Sequence, residues 1–177
     1  MRNHLILILL LSSVCVLAQV YTPLSASSRV SFKIKNFGTA VEGTMSGLKG
    51  TIRFDVSNIS TTVFDVTLDA NTIDTGINMR DNHLRKKDYF DVATYPSIRF
   101  VSTKVLATNA GEAKVTGTLT IKKTSKEITF PFKYTQLNGL PQFTAEFTVN
   151  RRDFNVGGSS MTMSDDVKIV LNVSTLK

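Results

Sequence analysis

Cysteine, histidine and tryptophan are almost missing from this chain: its 177 residues hold one Cys, two His and no Trp. A single Cys excludes a disulfide framework and a CxxC redox pair. With only two His, it also excludes a Cys- or His-rich zinc module. Ten Gly and four Pro are too few for a collagenous or low-complexity chain. Long apolar runs are scarce too: residues 5–16 form the longest, and Gln19 and Pro23 stop it short of the roughly 20 residues a membrane-spanning helix needs. What is present is a 42% hydrophobic chain with 11 Phe, 20% charged residues and a net charge of +7, which excludes a disordered polymer and points to one domain of ordinary size.

The N-terminus accounts for part of these counts. Arg2 precedes the apolar run, and Val16-Leu17-Ala18 ends it with aliphatic or small residues, the pattern of a secretory signal peptide cleaved after Ala18. A lipidated Cys15 fits less well, because Val14 is bulkier than the small residue expected before it. Removing residues 1–18 takes away Arg2, His4 and Cys15. It leaves 177 − 18 = 159 residues, a charge of 7 − 1 = +6, His83 as the lone imidazole and no thiol. The expected protein is periplasmic or secreted, with residues 19–177 as one domain held by a hydrophobic core rather than by disulfides.

Almost all of that domain repeats with a period of two. Val30, Phe32 and Ile34 alternate with Ser31, Lys33 and Lys35, and Phe64, Val66, Leu68 and Ala70 with Asp65, Thr67 and Asp69. Similar runs pass through Ile52 and Phe54, Val115 to Ile121, Ile128 to Tyr134, Phe143 to Val149 and Val167 to Val173. Strands that bury one face and wet the other belong to antiparallel sheets. Asn138-Gly139 and Gly157-Gly158 mark turns, and Pro131 on an outward position predicts an edge or a bulge. One segment, 78–90, lacks the alternation; it predicts a short helix capped by Asn78, with Met79 and His83 four apart. Many short amphipathic strands imply a sandwich or a closed barrel. The Phe-rich inward face is consistent with a sealed core and with a barrel of about eight strands enclosing one small apolar ligand.

Groups able to do chemistry are few. His83 and Asp81 are two apart, which places them on different faces of a helix, and neither a nucleophile elbow nor a phosphate-binding glycine loop is present. His83 is open to structural, ligand-contacting and catalytic readings. The basic residues Arg80, Arg85, Lys86 and Lys87 are interleaved with Asp81 and Asp88; they read as solvated turns or as a site for an anionic head group or membrane surface. Nucleic-acid binding is not expected without an aromatic-basic stripe.

Several motifs in register resemble the YceI-like, polyisoprenoid-binding family. Val41-Glu42-Gly43 followed by Leu48-Lys49-Gly50-Thr51-Ile52-Arg53-Phe54-Asp55 is similar to its V-x-G…L-x-G-x-I-x-F-D signature. Thr75-Gly76, Arg80-Asp81-Asn82-His83-Leu84-Arg85, Asp88-Tyr89-Phe90-Asp91, Tyr95-Pro96-Ser97-Ile98-Arg99-Phe100, Val115-Thr116-Gly117-Thr118-Leu119-Thr120-Ile121 and Asn150-Arg151 with Asp153-Phe154 follow in order. One departure stands out, Lys122-Lys123-Thr124 where the family commonly has Gly.

The resemblance implies an all-β, extended lipocalin-like antiparallel barrel with one short helix, binding rather than catalysing, with no cofactor or metal. An isoprenoid quinone, polyprenyl lipid or fatty-acid amide would lie inside as the amphiphilic partner, carried or sequestered. The candidate lining is Phe32, Ile34, Phe54, Val66, Leu68, Met79, Leu84, Phe90, Ile98, Phe100, Leu119, Phe130, Phe132, Phe143 and Phe147, and the candidate head-group contacts are Arg80, His83 and Arg151. A homodimer and a transient membrane-surface contact are compatible with this reading. Its rivals are an enzyme acting on such a lipid through His83 and Asp81, and a ligand-free barrel serving as an interaction module. Mass spectrometry of the exported protein is expected to show an N-terminus at Gln19; a lipid-modified Cys15 would overturn the simple secretion reading.

Overall fold

The computed structural model describes residues 19–177; the expected signal peptide lies outside the described residues. Ten strands form one sheet: β1 (Gln19–Pro23), β2 (Arg29–Asn36), β3 (Thr39–Met45), β4 (Lys49–Phe54), β5 (Val63–Asp69), β6 (Ser97–Asn109), β7 (Glu112–Ile121), β8 (Thr124–Leu137), β9 (Leu140–Asn150) and β10 (Met163–Leu176). All pairings are antiparallel, in the order β1-β4-β5-β6-β7-β8-β9-β10-β2-β3, and β1 also pairs with β10. That last pairing closes a ring of eight strands. The β2–β3 hairpin prolongs it, because β1 with β2 and β3 with β4 are each one strand broken at a bend.

The predicted alternation is what builds the wall. β4 buries Ile52 and Phe54 while Thr51 and Arg53 face water, and β9 buries Phe143 and Val149 while Thr144, Glu146 and Thr148 do not. On the wet face, cross-strand pairs link neighbours: Lys33 with Glu42 (2.8 Å), Arg99 with Asp65 (2.9 Å) and Lys168 with Glu146 (2.6 Å). The hydrogen bond from Arg99 holds the Asp65 carboxyl below its ordinary pKa.

The two ends differ. At the end made by the connections β4–β5, β6–β7 and β8–β9, rings fill the interior. Phe64 meets Phe132 and Phe143 edge-on at 5.5 and 5.4 Å, and Phe54 meets Phe143 and Tyr134 at 5.2 and 5.5 Å. At the other end the strands splay along two seams. β8 pairs with β9 only from Phe132 onward, so the ladder stops beside Pro131, which has no N–H to continue it. Pro131 therefore marks the edge of a ladder within a strand that still pairs with β7 on its other side. β3 leaves β5 above Lys49 and is tied to that side through Thr44 and Asp74, which exchange backbone bonds of 2.8 and 3.0 Å, and just after the strand through Ser46, whose N–H donates to Thr72 Oγ1 at 2.8 Å.

Residues 70–96 cross this splayed end and carry the one α-helix among the described residues, α1 (Asn78–Leu84). Asn78 does not cap it: Ile77 stands at the N-cap without a side-chain bond. The start is fixed instead by buried Asp81, whose Oδ1 accepts the Thr75 N–H at 2.9 Å and the Thr75 hydroxyl at 2.5 Å. Arg85 donates to the carbonyls of Asn71 (2.9 Å) and Ile73 (2.7 Å), tying the helix to the end of β5. In the Lys122-Lys123-Thr124 turn, Lys122 adopts φ 55°, and its ammonium donates to the Asn155 and Lys87 carbonyls at 2.9 and 3.3 Å. That side chain fastens the β7–β8 turn, where the chain departs from the family pattern, to its neighbours. Val56, which continues the β4 alternation in the sequence, lies past the strand end and is exposed.

The β3–β4 bend depends on Gly50. Its φ is 128°, and a Cβ there would overlap the Asp65 carbonyl oxygen and lie 2.8 Å from Val66 Cα. Gly50→Ala is expected to destabilise the barrel by about 2 kcal/mol or more, seen as a loss of roughly 4–8 °C in Tm for a domain of this size; an unchanged melt would contradict this account of the bend.

Candidate functional site

The splayed end encloses a cavity of about 280 Å³ with an almost wholly apolar wall. β2 contributes Val30, Phe32 and Ile34, and β5 Val66 and Leu68. Ile98 and Phe100 come from β6, Leu119 and Ile121 from β7, Phe130 from β8, Phe147 from β9 and Ile169 and Leu171 from β10. α1 and the chain after it close the top with Leu84, Tyr89 and Phe90. A second void of about 80 Å³ lies deeper among Ile52, Phe64, Phe132 and Phe143, and its wall shares Val66, Phe100, Phe130 and Leu171 with the larger cavity.

Of the lining residues expected from sequence, Phe32, Ile34, Val66, Leu68, Leu84, Phe90, Ile98, Phe100, Leu119, Phe130 and Phe147 converge on the main cavity. Phe132 and Phe143 line only the deeper void, and Phe54 belongs to the solid aromatic core. An inward position on a barrel strand reaches the cavity only at the splayed end; at the other end it meets a ring opposite. Met79 is 83% exposed and lines nothing. The helix is turned by about one residue, or 100°, from the expected face: Arg80 and Leu84 point to the cavity while Met79 and His83 point to solvent.

The same rotation corrects His83. It is exposed and stands edge-on to the Tyr89 ring at 5.0 Å, while Asp81 is buried against Thr75. The His83–Asp81 pair that a catalytic reading requires is not formed. Arg151 does lie at the cavity wall, 95% buried, but it holds the β9–β10 connection together. Its Nε donates to the Ser164 carbonyl (2.9 Å), its Nη1 to Val156 and Gly158 (3.0 and 2.9 Å) and its Nη2 to Asp165 (2.7 Å). Four donor contacts are thereby committed to the protein itself.

Arg80 is different. Its Nε and Nη2 donate to Thr75 Oγ1 (2.7 Å) and the Thr75 carbonyl (2.8 Å), and no carboxylate among the described residues pairs with it. Thr75 already gives its own hydroxyl proton to Asp81, so the chain Arg80–Thr75–Asp81 fixes the guanidinium at the cavity mouth. Asn36, Val41, Met45, Ile73, Thr75, Val156, Met163 and Val167 also line the wall without having been named as lining candidates. Ile73, Thr75 and Val156 sit in connections, where no alternation reports a face, and the other five lie on β2, β3 and β10. Among the described residues no group of three or more His, Cys, Asp or Glu could hold a metal.

The motif order and the splayed eight-stranded barrel are matched by known proteins. A sequence model of the YceI-like domain matches residues 21–175. The chain belongs to the YceI-like family. It is 31% identical to Protein YceI of Salmonella arizonae over 151 residues, which cover 81% of this chain and 78% of that protein. The structure is similar to that of BcnA from Burkholderia cenocepacia, with 28% identity, a TM-score of 0.81 and coverage of 86% of this chain and 98% of the other. A polyisoprenoid-binding domain from Saccharophagus degradans, implicated in plant cell wall breakdown, has the same fold at a TM-score of 0.70 and 17% identity, covering 90% of this chain and 98% of its own.

Two glycines of the family motifs seat cavity rings. A Cβ on Gly117 would lie 2.6 Å from the Phe100 ring and 2.5 Å from the Val101 carbonyl oxygen, and one on Gly43 would overlap the Phe32 ring. Each Phe leans on a bare backbone across the sheet, and so stays against the wall instead of filling the cavity. Gly117→Ala is expected to cost about 1–3 kcal/mol by overpacking and to drive Phe100 inward. The double variant Gly117→Ala/Phe100→Leu should recover the part of the loss due to the ring while the overlap with the Val101 carbonyl remains; a strictly additive pair in thermal melts would exclude a contribution from the ring.

Proposed function

We propose that this protein is an exported, non-catalytic lipid-binding protein that carries or sequesters a long-chain amphiphile of isoprenoid type inside the barrel. The observation that carries the reading is the apolar cavity of about 280 Å³ built on a closed barrel. Unless apolar atoms fill it, a void of this size costs on the order of 7 kcal/mol at about 24 cal/mol per Å³. That is comparable with the whole net stability of a domain, roughly 5–15 kcal/mol. An apolar tail that fills it removes that cost and adds about 0.8 kcal/mol for each methylene buried, against association costs of about 4–15 kcal/mol.

Chain length is therefore favoured over chain identity, since one methylene changes binding by only ~1–3 kcal/mol. Isoprenoid quinones, polyprenyl lipids and fatty-acid amides all satisfy these terms. Orientation comes from Arg80, a cation that lines the cavity at its mouth without a carboxylate partner among the described residues. The polyisoprenoid binding of the Saccharophagus degradans domain on the same fold supports the reading. Export is supported by the signal-like residues 1–18 and by the lack of any thiol in residues 19–177. The separation of His83 from Asp81 supports binding over catalysis.

Gentle purification followed by organic extraction and mass spectrometry is expected to yield a long-chain amphiphile, and the delipidated protein should take up a fluorescent long-chain probe. Ile169→Trp, which puts an indole into the cavity from β10, should abolish uptake while the circular dichroism stays that of a β-barrel. No extractable lipid together with no probe uptake would overturn the reading.

A further inference from the structure

Four of the large apolar side chains that face water stand around the cavity mouth. Phe37 is 78% exposed, Ile77 51%, Met79 83% and Met161 fully so. Each is within two residues of a side chain lining the cavity: Asn36, Thr75, Arg80 and Met163 respectively. They sit on three separate connections, and the Phe37 N–H donates to the Thr162 carbonyl at 2.9 Å, joining the β2–β3 tip to the segment before β10.

Phe37 is the most telling. It occupies a left-handed position, φ 49°, followed by Gly38 at φ 74°, in a two-residue hairpin loop. Such loops take Asn-Gly at little cost, as Asn138-Gly139 does at the far end of this barrel, with φ 53° and 76°. A Phe there is strained by its Cβ and leaves its ring in water. The exposed ring finds no packing within the fold to offset these costs.

Exposed apolar side chains occur toward the far end as well (Val20, Val56, Leu106, Leu137 and Leu176); charge is what separates the two ends. The connections at the mouth end, residues 37–38, 70–96, 122–123 and 151–162, hold eight Lys and Arg against five Asp, a balance of 8 − 5 = +3. Those at the far end, residues 55–62, 110–111 and 138–139, hold one Asp and no Lys or Arg, −1. Lys86, Lys87, Lys123 and Arg152 are exposed at the mouth end and belong to none of the side-chain ion pairs among the described residues.

We propose that this rim docks on an anionic lipid bilayer, with Phe37, Ile77, Met79 and Met161 set among the head groups, so that the ligand passes between membrane and cavity without crossing water. The proposal rests on the lipid-binding reading above and adds the surface from which the ligand is taken. Separated apolar points around an opening suit insertion between lipids, where buried area and attraction to anionic head groups add. A protein partner would instead need a continuous face of about 600 Å² or more on this side.

The test is flotation of residues 19–177 with vesicles of phosphatidylglycerol and phosphatidylcholine, beside transfer of a fluorescent polyprenyl probe from those vesicles or from ethanol. Wild type is expected to float with the anionic vesicles, less so in high salt, and to take the probe from both sources. The variant Phe37→Ser/Ile77→Ser/Met79→Ser/Met161→Ser should bind vesicles roughly tenfold more weakly or worse and lose transfer from vesicles, while its uptake from ethanol stays at the wild-type level. If the variant floats as wild type does, or if wild type takes probe from ethanol yet never floats, docking is overturned while lipid binding stands. Concentration-dependent self-association that the variant abolishes, in a wild type that does not float, would assign the rim to a second copy and likewise overturn it. No uptake by wild type from either source would defeat the lipid-binding reading itself.

Discussion

The structure depends on β10 pairing along one edge with both halves of a broken strand. Its first part pairs with β2, from Met163 to Asn172, and its last with β1, through Thr175 and Leu176. On its other edge β9 runs alongside for nine residues in continuous register. Side chains hold the place where the partner changes. The Ser28 hydroxyl donates to the Ser174 carbonyl and accepts its N–H, both at 3.2 Å, and the Thr175 hydroxyl, 98% buried, donates to the Pro141 carbonyl at 2.8 Å. Closure removes every free edge along this line, which an open sheet of amphipathic strands would expose to water and to other chains.

From closure follows the division of the interior. A ring of eight strands is just wide enough for side chains to fill it, and near Phe54, Phe64, Phe132 and Phe143 they leave only a void of about 80 Å³. A cavity requires the same ring to widen, and two interruptions allow this: the end of the β8–β9 ladder at Pro131 and the departure of β3 from β5 at Gly50. Phe130 and Phe147 stack across the first seam at 4.1 Å, so the gap in the ladder is covered by rings where backbone bonds are missing. α1 and residues 70–96 cover the second, anchored by Arg85 and by the Asp81–Thr75 bonds. The residues that widen the barrel thus also bring Arg80 to its mouth.

Much of this was legible along the chain, for a definite reason. Period-two alternation reports which face of a strand is wet, and the strands through Phe32, Phe54, Phe64, Leu119, Phe132, Phe143 and Ile169 all kept the face that alternation assigned. The site was legible only to the extent that it is a face. Helical position was legible only in part: Arg80 and Leu84, expected at the ligand, face the cavity, whereas Met79 and His83, expected there too, face solvent, because what orients α1 is a set of bonds to Thr75, Asn71 and Ile73 rather than an apolar stripe. Arg151, expected at the ligand head group, lies at the wall, and its contacts with Ser164, Val156, Gly158 and Asp165 join residues up to 14 positions apart, beyond any local pattern.

The sequence by itself determined an all-antiparallel, thiol-free domain with one apolar face per strand, since alternation and composition are local properties that burial acts on directly. It also carried motifs in register with one family, and those motifs place glycine opposite the rings at Gly43 and Gly117. Only the tertiary structure decided that the face encloses a cavity at one end and a solid core at the other. That distinction depends on which strands stop pairing and on what lies across the barrel, distances that no spacing along the chain encodes. It also decided that Phe37, Ile77, Met79 and Met161 surround one opening, because three loops far apart in sequence meet there only after the ring has closed.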